Sequence, residues 1–138
     1  MDILRRNTDY ALRIVVNLVK NFKEGPQSTR SVAAEEDVPY QLACKLMQKL
    51  ARAGFVESCM GARGGYRLTR KPSEVSLLEV IEAIQGALRL NRCLLSDGAC
   101  PRKKTCTVGA KLEGLQRELN EYLGGITLDE LAEYPKGE

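Results

Sequence analysis

Three helical periodicities separated by tight stops, followed at once by a glycine-pivoted hairpin, leave this chain few folds to choose from. Ala11, Ile14, Val15, Leu18, Val19 and Phe22 recur at three- and four-residue steps until Gly25-Pro26 ends the segment. Ser28 is the N-cap expected of a short second helix carrying Val32 and Ala33, which stops near Asp37-Val38-Pro39. A third helix follows, with Leu42, Ala43, Leu46, Met47 and Leu50 as its inward stripe and Gly54 as its C-terminal stop. Phe55-Val56-Glu57-Ser58 and Gly65-Tyr66-Arg67-Leu68 then flank Gly61-Ala62-Arg63-Gly64-Gly65 as strands flank a turn. The order predicts a mainly α fold with a small β-hairpin wing, a winged helix-turn-helix.

The remainder reads as an appendage to that unit. Ser76-Leu77-Leu78-Glu79 fits a capping box opening a helix that carries Leu77, Val80, Ile81 and Ile84 and ends at Gly86. Further on, Val108, Leu112, Leu115, Leu119 and Leu123 keep a mixed three/four spacing with charges between them, a stripe narrow enough to suit a partner helix. Gly124-Gly125 is expected to break this helix, and Thr127-Leu128-Asp129-Glu130 to cap a short terminal one. With 138 residues, one domain plus an arm is the expected size. The reading divides it into a winged helix-turn-helix DNA-binding domain (1–86), a cysteine-containing loop (87–107), and a long C-terminal dimerisation helix with a short final helix (108–138).

Charge is informative by its distribution, since the net value is only +3. From Pro39 to Lys71 seven basic residues stand against Glu57, whereas from Glu113 to Glu138 seven acids stand against Arg117 and Lys136. One half is suited to phosphate and the other is not. On the outer face of the third helix, Gln41 and Gln48 can pair with base edges in the major groove of double-stranded DNA, while Lys45, Lys49 and Arg52 are suited to phosphates. Cys44 lies on the same face. In the hairpin, Gly64 and Gly65 permit a close approach to DNA and Arg63 is suited to the narrow minor groove.

No signal peptide is read in MDILRRNTDY and no apolar run approaches a membrane span, so a cytoplasmic protein is expected. The chain has no His, no P-loop and no nucleotide-binding glycine fingerprint, and no catalytic residue is assigned. Five cysteines in a reducing compartment make a poor disulfide framework. Cys93, Cys100 and Cys106, with six and five residues between them, share a loop with Arg92, Arg102, Lys103 and Lys104, whose charge would offset that of a bound cluster. Thiolate suits iron–sulfur clusters and zinc, but this spacing by itself leaves metal binding, redox-active thiols and inert thiols all open. Cys59 reads as a small packing residue and Cys44 as a surface thiol.

Thr8-Asp9-Tyr10-Ala11-Leu12-Arg13, the wing Arg63-Gly64-Gly65-Tyr66-Arg67-Leu68, the helix start Val75-Ser76-Leu77-Leu78-Glu79-Val80 and the cysteine triplet together resemble the Rrf2 (BadM/IscR/NsrR-like) family over nearly the whole chain. The resemblance implies a homodimer of winged-helix domains joined by a long C-terminal helix and bound to an approximately palindromic operator. It also implies a transcriptional regulator, more often a repressor, responding to redox, nitric oxide or iron status. The cofactor implied by the resemblance is an iron–sulfur cluster on Cys93, Cys100 and Cys106, with 4Fe-4S the first choice and 2Fe-2S the second. IscR-like members take a histidine three residues after the third cysteine, where this chain has Gly109. NsrR-like members use an aspartate of the opposite subunit, and Asp9 matches that position. The competing roles for Asp9 are a helix-start carboxylate or a partner for Arg13. A cluster-free thiol-redox or zinc-containing regulator is the alternative, with a metal-dependent enzyme or electron carrier more remote.

Overall fold

A computed structural model describes residues 2–94, 101–102 and 105–133. Helices α1 (Arg6–Lys20), α2 (Thr29–Glu35) and α3 (Tyr40–Arg52) precede strands β1 (Val56–Cys59) and β2 (Gly65–Leu68), after which come α4 (Leu77–Gln85), α5 (Thr107–Gly125) and α6 (Leu128–Leu131). The winged helix-turn-helix read from the sequence is the fold observed.

The predicted stripes supply the core. Ala11, Ile14, Val15, Leu18 and Val19 of α1 meet Ala43, Leu46, Met47 and Leu50 of α3 and Val80 and Ile84 of α4. At about 1.5–3 kcal/mol for each large side chain removed from water, this cluster is the main source of stability. Phe22 lies beyond the end of α1 and is exposed, so the inward stripe closes at Val19. Polar contacts add orientation. Asn17, buried on α1, donates to the carboxylates of Glu35 and Glu36 at 2.8 and 3.0 Å and so fixes the angle of α2.

The hairpin is antiparallel, with Val56 opposite Leu68 and Cys59 opposite Gly65. A third segment joins it, because Gln27 and Tyr66 exchange backbone hydrogen bonds of 2.9 and 2.8 Å. The wing is thereby tied to the residue just before the Ser28 cap of α2, whose hydroxyl accepts from the Ser31 N–H at 3.1 Å.

The predicted box at α4 is formed. Ser76 Oγ accepts from the Glu79 N–H at 3.1 Å and Glu79 Oε2 accepts from the Ser76 N–H at 2.7 Å. That backbone hydrogen bond, with help from Arg70 and against a smaller effect of burial, holds the Glu79 carboxyl below its ordinary 4.5. Because the folded-state value is the lower one, this stabilisation is complete above the unfolded pKa and is lost as pH falls through the folded value. Ser76→Ala is expected to cost about 1 kcal/mol in urea denaturation at neutral pH. The difference from wild type should persist as the pH falls, because the bond removed is that from the Glu79 N–H to Ser76 Oγ, while the Ser76 N–H that holds the Glu79 carboxylate is kept in the variant.

Two expectations for the C-terminal part are corrected. Helix α5 runs through Gly124 and Gly125 instead of stopping before them. The second capping box does not form: no side-chain cap bond is made by Thr127, whose hydroxyl donates instead to Asp129 and to Glu130 Oε1. The short α6 is held by its surroundings. Leu128 is buried in the main core, its N–H donates to Val75 C=O at 3.0 Å, and the Leu77 N–H donates to Ile126 C=O at 2.8 Å. No described helix is long and apolar enough to cross a membrane.

Candidate nucleic-acid interface and cysteine loop

The turn between α2 and α3 is set by Asp37, which takes a left-handed conformation with φ 54, and by Val38, whose side chain is buried and whose N–H reaches Ala33 C=O at 2.9 Å. Helix α3 then turns Gln41, Lys45, Gln48 and Arg52 to solvent along one stripe, as their i, i+4, i+7, i+11 spacing requires. Cys44 is half-buried on one flank of that stripe. Lys49 is exposed on the opposite flank, where its ammonium donates to Ile84 C=O at 2.7 Å near the C-terminus of α4. That bond leaves it two donors for phosphate and ties the recognition helix to α4.

The basic residues of this region divide by partner. Arg67 Nε holds Glu57 at 2.7 Å across the strands, which raises its already high pKa, and Arg70 holds Glu79 at 3.2 Å. Lys45, Arg52, Arg63 and Lys71 are exposed, and their side chains make no ion pair or hydrogen bond with the described residues. Together with Arg5 and Arg6, Lys45 and Lys49 also edge a cleft of about 460 Å³ between α1 and α3. Positive charge without an internal partner is what a phosphate-binding face requires.

Arg63 sits in the turn that joins β1 to β2, and the glycines around it have structural causes. Gly61 has φ 114, a backbone conformation unfavourable to L side chains. A Cβ on Gly64 would lie 2.6 Å from Cys59 C=O, and one on Gly65 would lie 2.2 Å from Gln27 C=O. Gly64 and Gly65 are therefore required by the packing of the wing against itself and against Gln27.

The cysteine loop is anchored at both ends. Cys93 lies in a short helical turn, Arg92–Leu94, half-buried, with its Sγ accepting from Asn91 Nδ2 at 3.6 Å. Cys106 is half-buried as the N-cap of α5, its Sγ accepting from the Gly109 N–H at 3.3 Å. Cys100 lies outside the described residues, and among the described residues no three Cys, Asp or Glu side chains gather as a metal site. The two described sulfurs nonetheless have the chemistry a cluster needs, since neither is in a disulfide and each accepts an N–H bond of the kind that tunes cluster potentials. A Cβ at Gly109 would stand 3.7 Å from the Cys106 sulfur, in ordinary contact.

Asp9 is exposed near the start of α1 and pairs with Arg13 at 3.3 Å, the helix-start arrangement anticipated as its competing role. An exposed pair of this kind contributes about 0.2–1 kcal/mol, so Asp9 can exchange it for another partner. Two glutamines unmarked by sequence reasoning hold the surroundings. Gln85 Oε1 accepts from Thr8 Oγ1 at 2.6 Å and from the Arg5 N–H at 3.0 Å, which fixes the start of α1 to the end of α4. Gln116, buried on α5, accepts the Leu90 N–H at 2.8 Å and donates to Asn120 at 3.0 Å.

On α5, Val108 and Leu115 are exposed, and Leu112, Leu119 and Leu123 are half-buried. Tyr122, absent from the predicted stripe, is 71% exposed and continues the interval of Val108 and Leu115 by one more heptad.

The model of the Rrf2 family, described as iron-dependent transcriptional regulators, matches residues 4–134. The transcriptional regulator IscR of Aliivibrio salmonicida is 29% identical over 122 residues, 88% of this chain and 72% of its own. CymR, described as the global cysteine regulator of B. subtilis, superposes with a TM-score of 0.80 at 26% identity, covering 99% of this chain and 100% of that one. The solved structure of T. potens IscR gives 0.76 at 26% identity over 97% of this chain and 93% of its own.

Proposed function

The chain belongs to the Rrf2 family of winged-helix transcriptional regulators, DNA-binding proteins and not enzymes, and we propose that it is a homodimeric repressor whose operator binding is governed by an iron–sulfur cluster. The unpartnered cations Lys45, Arg52 and Arg63 beside Gln41 and Gln48 carry the DNA half of this reading. Gln41 and Gln48 would read base edges, the cations would neutralise phosphate, and the wing would enter the minor groove. Two copies joined through Val108, Leu115 and Tyr122 of α5 would present two recognition helices to an approximately palindromic site. The two would have to lie about 34–36 Å apart to meet successive major grooves.

The cofactor half rests on the Cys106 cap. A sulfur fixed at the start of α5, in the helix that would join the subunits, would transmit any change in the loop directly to the dimer axis. Cys93, Cys100 and Cys106 would hold the cluster, 4Fe-4S before 2Fe-2S, with Asp9 of the partner subunit as fourth ligand. Such a cluster supplies reactivity toward oxygen and nitric oxide and dependence on iron supply. Loss of a ligand that crosses between subunits would alter the spacing of the recognition helices.

The likeness to a protein described as a global cysteine regulator favours a second reading, in which the same thiols respond without a cluster or hold zinc. Anaerobic purification with visible absorption and iron, sulfide and zinc analysis separates the two. The cluster reading expects a coloured protein with about four iron and four sulfide per protomer. A colourless protein with zinc or with no metal would replace it by the second reading. Selection of genomic fragments on the same preparation should enrich sequences related by an approximate two-fold repeat.

A further inference from the structure

We propose that Arg30, stacked on the ring of Tyr40, contacts the DNA backbone at the edge of the groove entered by α3, an inference that rests on the DNA-binding reading. The guanidinium carbon of Arg30 stands 4.3 Å from the centroid of the Tyr40 ring. Arg30 lies in the first turn of α2, and Tyr40 is the first residue of α3, immediately before Gln41. Both side chains are exposed, Tyr40 by 43%.

A stacked guanidinium uses its face and leaves its edge free. Arg30 makes no hydrogen bond or ion pair with the described residues, so its in-plane N–H donors have no partner there. Stacking also restricts rotamers that a free arginine would have to give up on binding, which makes the fork pre-organised for a planar or bidentate acceptor. In a helix-turn-helix, the first helix of the motif crosses the DNA backbone while the first residues of the second approach base edges. The Arg30–Tyr40 pair joins those two places. A phosphate oxygen is the acceptor that fits there, and Tyr40 acts as the positioning residue that aims the fork.

The location is steady because the start of α2 is held from two sides. Ser28 caps the helix, and the adjoining Gln27 is hydrogen-bonded to Tyr66 of the wing. Arg30 thus joins α3 through Tyr40 and sits three residues from the segment bonded to the wing, and the DNA reading assigns both α3 and the wing to the same duplex.

The test compares wild-type protein with Arg30→Ala, Arg30→Lys, Tyr40→Ala, Tyr40→Phe and the double variant Arg30→Ala/Tyr40→Ala across a salt series. The probes are a duplex selected by the wild type and a scrambled duplex of equal length, and circular dichroism checks that each variant is folded. Arg30→Ala is expected to weaken binding about tenfold on both duplexes, as removal of a charge-assisted hydrogen bond to phosphate does. The slope of log K against log salt should become shallower by about 0.9 for each phosphate that is no longer neutralised. Arg30→Lys should keep the slope and lose part of the affinity, Tyr40→Phe should match wild type, and Tyr40→Ala should weaken binding without adding to Arg30→Ala in the double variant. A role confined to packing α2 on α3 would lower thermal stability and leave the salt slope unchanged. Wild-type affinity and slope in Arg30→Ala would overturn this contact alone; failure of the wild type to bind either duplex would overturn the DNA-binding reading and the contact with it.

Discussion

Cys106→Ser is expected to yield a folded protein that has lost nearly all of its iron and sulfide and no longer changes DNA affinity with the state of the cofactor. The serine variant is chosen because Cys106 has two roles. Its sulfur caps α5 by accepting the Gly109 N–H, and in the proposed site it is also a ligand. A serine oxygen is a good N-cap, so the helix start should be preserved while the soft thiolate is removed. Cys106→Ala removes both, and should cost about 1 kcal/mol more in stability than the serine variant. The comparison separates cluster loss from unravelling of α5, which a single alanine variant would confound. Cys93→Ala should empty the site without the capping penalty, because its sulfur accepts from the Asn91 side chain and not from a helix terminus. Wild-type colour and iron in Cys106→Ser would overturn the cluster reading.

Asp9 can be tested on the same background. Asp9→Ala breaks an exposed pair with Arg13 and should change stability by less than about 1 kcal/mol. If Asp9 of the partner subunit is a ligand, the variant should hold a cluster that decays much faster in air. Gly109→His places an imidazole beside the Cys106 sulfur, where a Cβ has ordinary room, and should slow that decay. An Asp9→Ala cluster as durable as wild type would assign the carboxylate to Arg13 alone.

What could be read from the chain depended on whether an interaction repeats. The stripe from Ala11 to Val19 and that from Ala43 to Leu50 were legible because a helix buries every third or fourth residue, and the core does consist of them. The Ser76 box was legible because its two hydrogen bonds lie within four residues. The Thr127 box fails although its motif is equally good: the Thr127 hydroxyl is turned to donate to the carboxylates of Asp129 and Glu130, and it accepts no N–H of the first turn. Lys49 illustrates the opposite limit. Its place on the helix was read correctly, but its bond to Ile84 joins residues 35 positions apart and leaves no periodic trace. Gln85 and Gln116 were passed over for the same reason, since each satisfies backbone groups remote in sequence. In the cysteine loop, the triplet identified a class of ligand while its spacing fixed no geometry, and Cys100 lies outside the described residues.

Gly65→Ala should be among the most damaging single-methyl additions in the wing, and the reason is contact, not conformation. The backbone at Gly65 is not in the left-handed region, so alanine has no intrinsic difficulty with its dihedral angles. The added Cβ would, however, lie 2.2 Å from the Gln27 carbonyl oxygen and 2.8 Å from the Ser28 nitrogen. Neither is the end of a flexible side chain. Room can be made only by separating the 27–28 segment from β2, which sacrifices the two backbone bonds between Gln27 and Tyr66. Two such bonds plus overpacking strain amount to about 2–3 kcal/mol, or a fall in Tm on the order of 10 °C. Gly61→Ala is the informative control, since its φ of 114 strains any side chain while nothing lies within 4 Å of the new atom. That strain should cost about 1–2 kcal/mol, less than Gly65→Ala. Because the displaced segment carries the Ser28 cap of α2, DNA affinity in Gly65→Ala should fall even at temperatures where the protein remains folded. A Gly65→Ala protein as stable as wild type, or more stable than Gly61→Ala, would mean that the wing is not anchored through Gln27.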